Sequence, residues 1–153
     1  MSSKVYISHR GNLAGPSQET ENTTASIENA IKAGFDCEVD VWLNHGVYYL
    51  GHDGPKDVVP LKFLLDYSEV LWVHCKNIDA LYELTLLDLN CFFHNVDDCT
   101  LTSKGFLWTY PGKHLTDRSV CVLPEWNYDI RGFSAAFGVC SDYVQKYKEK
   151  DNK

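Results

Sequence analysis

Glu38 and Asp40 stand two residues apart inside the apolar run 37–43. In a strand, residues i and i+2 point to the same face, so this spacing predicts two carboxylates side by side. Two desolvated carboxylates repel unless a cation sits between them. Oxygen ligands of this kind suit Mg²⁺ or Ca²⁺. His74 and Lys76 repeat the spacing in another apolar run. An imidazole and an ammonium on one face would serve an anion, and the imidazole is a further candidate metal ligand. His9 and His52 are candidates for general acid and base, because imidazole titrates near neutrality. Arg10 offers a forked donor for phosphate oxygens. A metal, an Arg, a Lys and two His describe chemistry at a phosphodiester or a related phosphoryl group. The cations hold the charged phosphorus centre while the histidines move protons.

Short strands alternating with helices must position these groups. Apolar runs predict strands over residues 5–8, 37–43, 47–51, 70–75, 91–93, 106–109, 120–123 and 138–141. A helix is expected over 22–33, with Asn22 as its cap and Gly34 as its stop. Shorter helices are expected after Pro60 and over 78–88, the second capped by Asn77. Nearly every strand ends in a chemically capable residue: His9-Arg10, His52-Asp53, His94-Asn95, Trp108 with Tyr110, Glu125-Trp126 and Asp142. In a parallel barrel the C-terminal strand ends meet on one face, where active sites are built. The expected fold is therefore a miniature TIM-type (β/α)8 barrel with shortened or missing helices. Such barrels typically take about 250 residues. An incomplete barrel or an open α/β sheet is the alternative.

The chain has 153 residues, which fits one domain. We expect that domain over 1–145, followed by a polar, fraying tail over 146–153. The net charge of −7 argues against a nucleic-acid partner. An anionic small-molecule substrate stays compatible with it, because a bound metal inverts the local charge. Six cysteines without a CxxC pair read as reduced, mostly buried thiols. No apolar run is long enough for a transmembrane segment and no signal core opens the chain, so a soluble, cytoplasmic protein is expected.

The chain resembles the glycerophosphodiester phosphodiesterase family, within the superfamily of phosphatidylinositol-specific phospholipase C-like phosphodiesterases. The likeness begins at His9-Arg10-Gly11 and continues through Glu21-Asn22-Thr23, Ala33-Gly34 and Cys37-Glu38-Val39-Asp40-Val41. It resumes at Gly51-His52-Asp53. Farther on, Pro60-Leu61 and Ser141-Asp142-Tyr143 are similar to later family signatures. The resemblance implies an acid/base pair of His9 and His52, phosphate contacts from Arg10 and Lys76, and metal ligation by Glu38 and Asp40. Where the family carries a metal-binding glutamate, this chain has His74. That departure softens the site, and either shifts its preference towards Mn²⁺ or Zn²⁺ or leaves the site metal-poor. The chain also lacks room for the small subdomain that many members place over the site, so a more open mouth is expected. Trp108, Tyr110, Trp126 and Tyr128 are candidates for its walls, and Glu125 with Trp108 for substrate binding. The implied activity is metal-dependent cleavage of a small glycerophosphodiester or related lipid head group. The alternatives are a phosphodiester lyase that forms a cyclic phosphate, and a non-catalytic phosphate- or metal-binding barrel.

Overall fold

The computed structural model describes residues 3–127 and 131–153. The chain opens with β1 (Val5–His9), crosses through α1 (Thr24–Lys32) and returns as β2 (Asp36–Asn44). Thr23, not the expected Asn22, caps α1. Its Oγ1 accepts the Ser26 N–H at 3.2 Å, and Ser26 Oγ accepts the Thr23 N–H at 3.3 Å. A turn at His45-Gly46 leads into antiparallel β3 (Val47–Leu50), which carries β4 (Asp57–Val58) on its other edge. α2 (Leu61–Asp66) precedes β5 (Leu71–Cys75), and α3 (Ile78–Leu86) precedes β6 (Cys91–Phe92). Asn77 caps α3 through Oδ1, which accepts the Ala80 N–H, and its Nδ2 donates to the Leu43 carbonyl. One side chain thus starts the helix and ties it to the end of β2. The second half is strand and loop: β7 (Cys99–Leu101), β8 (Leu107–Thr109), β9 (Ser119–Val122) and β10 (Gly138–Ser141), closed by α4 (Val144–Asp151). Short 3₁₀ turns at Pro124–Trp126 and Phe133–Ala135 separate β9 from β10.

Seven strands run parallel in the order β6-β5-β2-β1-β10-β9-β8. β3 and β4 extend the sheet antiparallel from the outer half of β2, and β7 pairs antiparallel with β8. The sheet curls around Ile7, Trp72, Phe92, Trp108, Val120, Val122 and Cys140. Its convex side carries a second core, where Ile27 and Ala30 of α1, Leu64 of α2 and Leu84 of α3 cover Val39, Val41 and Val73. Each large aliphatic side chain fully buried there contributes about 1.5–3 kcal/mol.

The expected alternating (β/α)8 barrel is overturned. Among the described residues the fold is a curled mixed sheet, an open half-barrel that is richer in strand and has four α-helices. No pairing joins β6 to β8, so the curl does not close. The physical reason is chain length. A parallel crossover through a helix takes about a dozen residues or more, and the connections 93–98, 102–106 and 110–118 are all shorter than that. They run as turns, and the chain uses antiparallel pairing where helices would otherwise stand.

The segment read as a fraying tail is largely α4. Val144 is fully buried, and Tyr6 donates its hydroxyl to Asp151 at 2.6 Å. Five cysteines are free and buried, and Cys99 is free and exposed. No helix among the described residues is long and apolar enough to cross a membrane.

Candidate active site

The register of the sheet gathers the polar groups. His9 stands beside Glu38, and Asp40 stands beside His74, across the β1–β2 and β2–β5 pairings. Neighbours in register share a face, so Glu38 and Asp40 of β2 converge with His9 and His74 beside the C-terminal ends of β1 and β5. A cavity of about 190 Å³ opens there, and His9, Arg10, Glu38, Asp40, His52 and His74 all line it.

Asp40 is the hub. It is fully buried, and its Oδ2 accepts the Asn22 amide at 2.8 Å. Arg10 Nε lies 3.2 Å from that same oxygen, while His74 Nδ1 and Lys76 Nζ lie 3.0 and 3.6 Å from Oδ1. Burial alone would raise the Asp40 pKa. The neighbouring His74, Arg10 and Asn22 overcome that and hold it well below the usual carboxylate range. Glu38 behaves in the opposite way. Burial first, and then the Asp40 charge, push its pKa up to about 7.

Glu38 Oε2 and Asp40 Oδ1 are buried without a well-aligned hydrogen-bond donor. Cations already approach Asp40 Oδ1, but the nearest to Glu38 Oε2 is His9 Nε2 at 3.7 Å, and a buried acceptor left in that state is costly unless something positive reaches it. Ligand atoms of Glu38, Asp40 and His74 all lie within 4.8 Å of one another. Two hard oxygens and one imidazole suit a divalent metal, so this group could hold a metal ion. Burial lowers the His74 pKa more than Asp40 raises it, which favours the neutral imidazole that metal ligation needs.

His9 is held from behind. Its Nδ1 lies 2.7 Å from Asp142 Oδ1, and its Nε2 lies 3.7 Å from Glu38 Oε2. Asp142 accepts the Asn12 amide at 2.9 Å. Burial works to lower the His9 pKa, but the bonds and charges of Asp142 and Glu38 outweigh it and hold the value above normal. Asp142 shifts the other way: burial would raise its pKa, and its bond to His9 brings it below the usual value. Glu125 does not line the cavity. Its carboxylate accepts the Ser141 hydroxyl at 2.9 and 3.0 Å and the Asp142 N–H at 3.1 Å, so it braces the segment that carries Asp142.

Arg10 adopts a left-handed backbone, with φ of 56°. Gly11 follows at φ 84°, and a Cβ there would fall 2.5 Å from Ser26 Oγ and 2.8 Å from the Ser26 carbonyl carbon. Only glycine fits that approach. The guanidinium is turned back over the site, with Nη1 donating to Glu21 at 3.1 Å. His52 sits in the turn after β3, with Nδ1 2.7 Å from Asp53 Oδ1 and 43 % of its side chain exposed. Lys76 reaches Asp40 from outside the cavity wall.

The opposite wall is aromatic. Phe92 and His94 stack on His74 with centroids 5.2 and 4.6 Å away, Tyr110 lies 4.2 Å beyond His94, and Trp108 stacks on Phe92 at 4.6 Å. Burial and the nearby His74 push the His94 pKa down to about 4, so its ring is neutral. Trp126 joins this wall while remaining 70 % exposed. Tyr128 lies outside the described residues.

Asn12 and Glu21 were given no role from sequence and Asn22 only that of a helix cap, although Glu21-Asn22 lies within a motif already singled out. The usable signal was Asn22 directly preceding the Thr23 cap. Its φ of 54° frees the side chain from capping and turns it towards Asp40.

Fold and site together define a half-barrel protein with a carboxylate–histidine cluster at the C-terminal ends of its parallel strands. No protein-family model matches the chain, and no curated protein matches it in sequence.

Proposed function

We propose that this protein is a metal-dependent phosphodiesterase that cleaves a small glycerophosphodiester or a related phosphodiester. One observation carries the reading: four histidines, an arginine and two buried carboxylates all line one cavity of about 190 Å³. Each supplies a distinct requirement of phosphodiester cleavage.

Glu38, Asp40 and His74 would hold the divalent ion. Bound there, the metal supplies charge neutralisation at the phosphoryl oxygens. The oxygens favour Mg²⁺ or Ca²⁺, and the imidazole widens the choice to Mn²⁺ or Zn²⁺. Arg10 directs its guanidinium at the phosphate while Glu21 and Asp40 fix its orientation. Asp142 occupies Nδ1 of His9, so His9 gains and loses its working proton at Nε2, on the Glu38 side. His52, tied to Asp53, faces the same cavity as the second proton-handling group. One imidazole takes the proton of the attacking water as its oxygen bonds to phosphorus. The other protonates the departing alkoxide as the P–O bond breaks. The products are a phosphomonoester and an alcohol. The aromatic wall from Trp108 to Tyr110 supports the leaving group.

The test is ³¹P NMR of glycerophosphodiesters incubated with the full chain in ¹⁸O-labelled water. The reading expects a phosphomonoester carrying solvent oxygen, and loss of turnover in His9→Gln and Glu38→Gln. A cyclic phosphate without label would reassign the reaction to a lyase. Undiminished turnover in either variant would remove the site from the chemistry.

A further inference from the structure

A second, larger cavity lies at the opposite end of the sheet. It measures about 430 Å³. Its lining comes from strand beginnings: Asp36 opens β2, Asn90 and Phe106 immediately precede β6 and β8, and Phe137 immediately precedes β10. It shares no residue with the cavity around His9 and Asp40.

Its chemistry is one-sided. Three carboxylates, Asp36, Glu69 and Asp88, line it with Asn90, against one cation. Asn90 is 8 % exposed, and its Oδ1 is buried with no hydrogen-bond partner. Leaving such an acceptor unmet is costly. The cavity's own cation, Lys104, is already paired with Asp88. The remaining wall is aromatic. Trp72 has Phe106 and Phe137 at centroid distances of 5.3 and 6.4 Å, and those two rings lie 4.4 Å apart. The Trp72 indole N–H donates to Asp36 Oδ2 at 2.9 Å, which fixes the carboxylate against the aromatic wall.

Three carboxylates against one ammonium leave the lining net negative, which calls for a cationic ligand, and an ammonium is donor only. Aromatic faces beside carboxylates add cation–π attraction and cover an apolar stem. We infer that this cavity is a binding site for an organic cation, an alkylammonium whose N–H groups meet Asp36 and Asn90 and whose carbon chain lies along Trp72, Phe106 and Phe137. The site is independent of the phosphodiesterase reading, and its test reads binding alone.

Butylammonium is titrated into ¹⁵N-labelled full chain, with butanol as the neutral control. Saturable shifts are expected at the Trp72 indole N–H and the Asn90 side-chain amide, with no such response to butanol. Asp36→Asn removes a charge-assisted hydrogen bond and weakens binding about tenfold. Exposed Glu69 contributes less, so Glu69→Gln weakens it about threefold. Glu69→Gln leaves the buried framework untouched and decides the matter alone if Asp36→Asn does not fold. Absence of saturation, equal shifts with butanol, or wild-type affinity in either folded variant overturns the inference.

Discussion

Asp142 occupies Nδ1 of His9 at 2.7 Å, which leaves Nε2 as the nitrogen the proposed reaction would use. That pairing has a pH signature. The folded Asp142 pKa lies below its ordinary 3.8, so its stabilisation is present above that value and is lost as pH falls through the folded pKa. The folded His9 pKa lies above its ordinary 6.5, so its stabilisation is complete below 6.5 and is lost as pH rises through the folded pKa. Asp142→Asn removes the charge from the pair. Urea midpoints measured across pH should show the largest gap between wild type and variant from 3.8 to 6.5, narrowing on both sides. A gap that does not vary with pH would assign Asp142 a packing role only. At Asp40, truncation to Ala leaves Arg10, His74 and Lys76 around an uncompensated hole. Thermal or urea unfolding should show a loss of about 3–5 kcal/mol. The isosteric Asp40→Asn is therefore the cleaner probe of turnover. The Glu38/Asp40 and His74/Lys76 pairs were legible in sequence because a strand's two-residue period puts each pair on one face. Asp142 was assigned no role and Asn22 only that of a helix cap, because they reach His9 and Asp40 from positions 133 and 18 residues away in sequence. No local period encodes contacts of that kind.

At the scale of elements, the turns that aim the site depend on individual glycines. Gly51 has φ of 148°, and a Cβ there would fall 2.1 Å from the Gly54 carbonyl oxygen. Gly51→Ala must move the turn that carries His52. A displacement of about 1 Å at a proton-handling group can cost about a hundredfold in rate. Steady-state turnover of an aryl phosphodiester should fall by that order, while circular dichroism still reports a folded sheet. On the convex side, fully buried Leu84 anchors α3 to the sheet. Leu84→Ala should cost about 2–5 kcal/mol in urea unfolding. Strong apolar runs gave the parallel strands and α3 to within a few residues. β4 and β7 went unread because they are two and three residues long and mostly exposed, with no alternating pattern to detect. The α1 cap was displaced by one position because Asn22 and Thr23 are both good caps. The choice fell to Thr23 once Asp40 had claimed Asn22.

For the molecule as a whole, open curvature replaces the closed ring expected from eight apolar runs. The parallel strands still present their C-terminal ends to a single mouth, so the half-barrel keeps the geometric benefit of a barrel with only four α-helices among the described residues. Closure was not legible because it depends on whether connections have room for helices and on which edges pair. Both are tertiary outcomes. A net charge of −7 would repel an anionic substrate. Arg10 and Lys76 offset this locally, and an ion on Glu38, Asp40 and His74 would offset it further. The two cavities sit at opposite ends of one sheet, so substitutions at Asp36 or Glu69 should leave phosphodiester turnover unchanged. The measurement that bears most directly on the account is the rate of bis(p-nitrophenyl) phosphate cleavage by the full chain. It is taken first in chelator and then after Mg²⁺ or Mn²⁺ is restored. The account predicts loss of cleavage in chelator and recovery with metal, both abolished by Glu38→Gln. Full cleavage in chelator, or none under any metal, would contradict it.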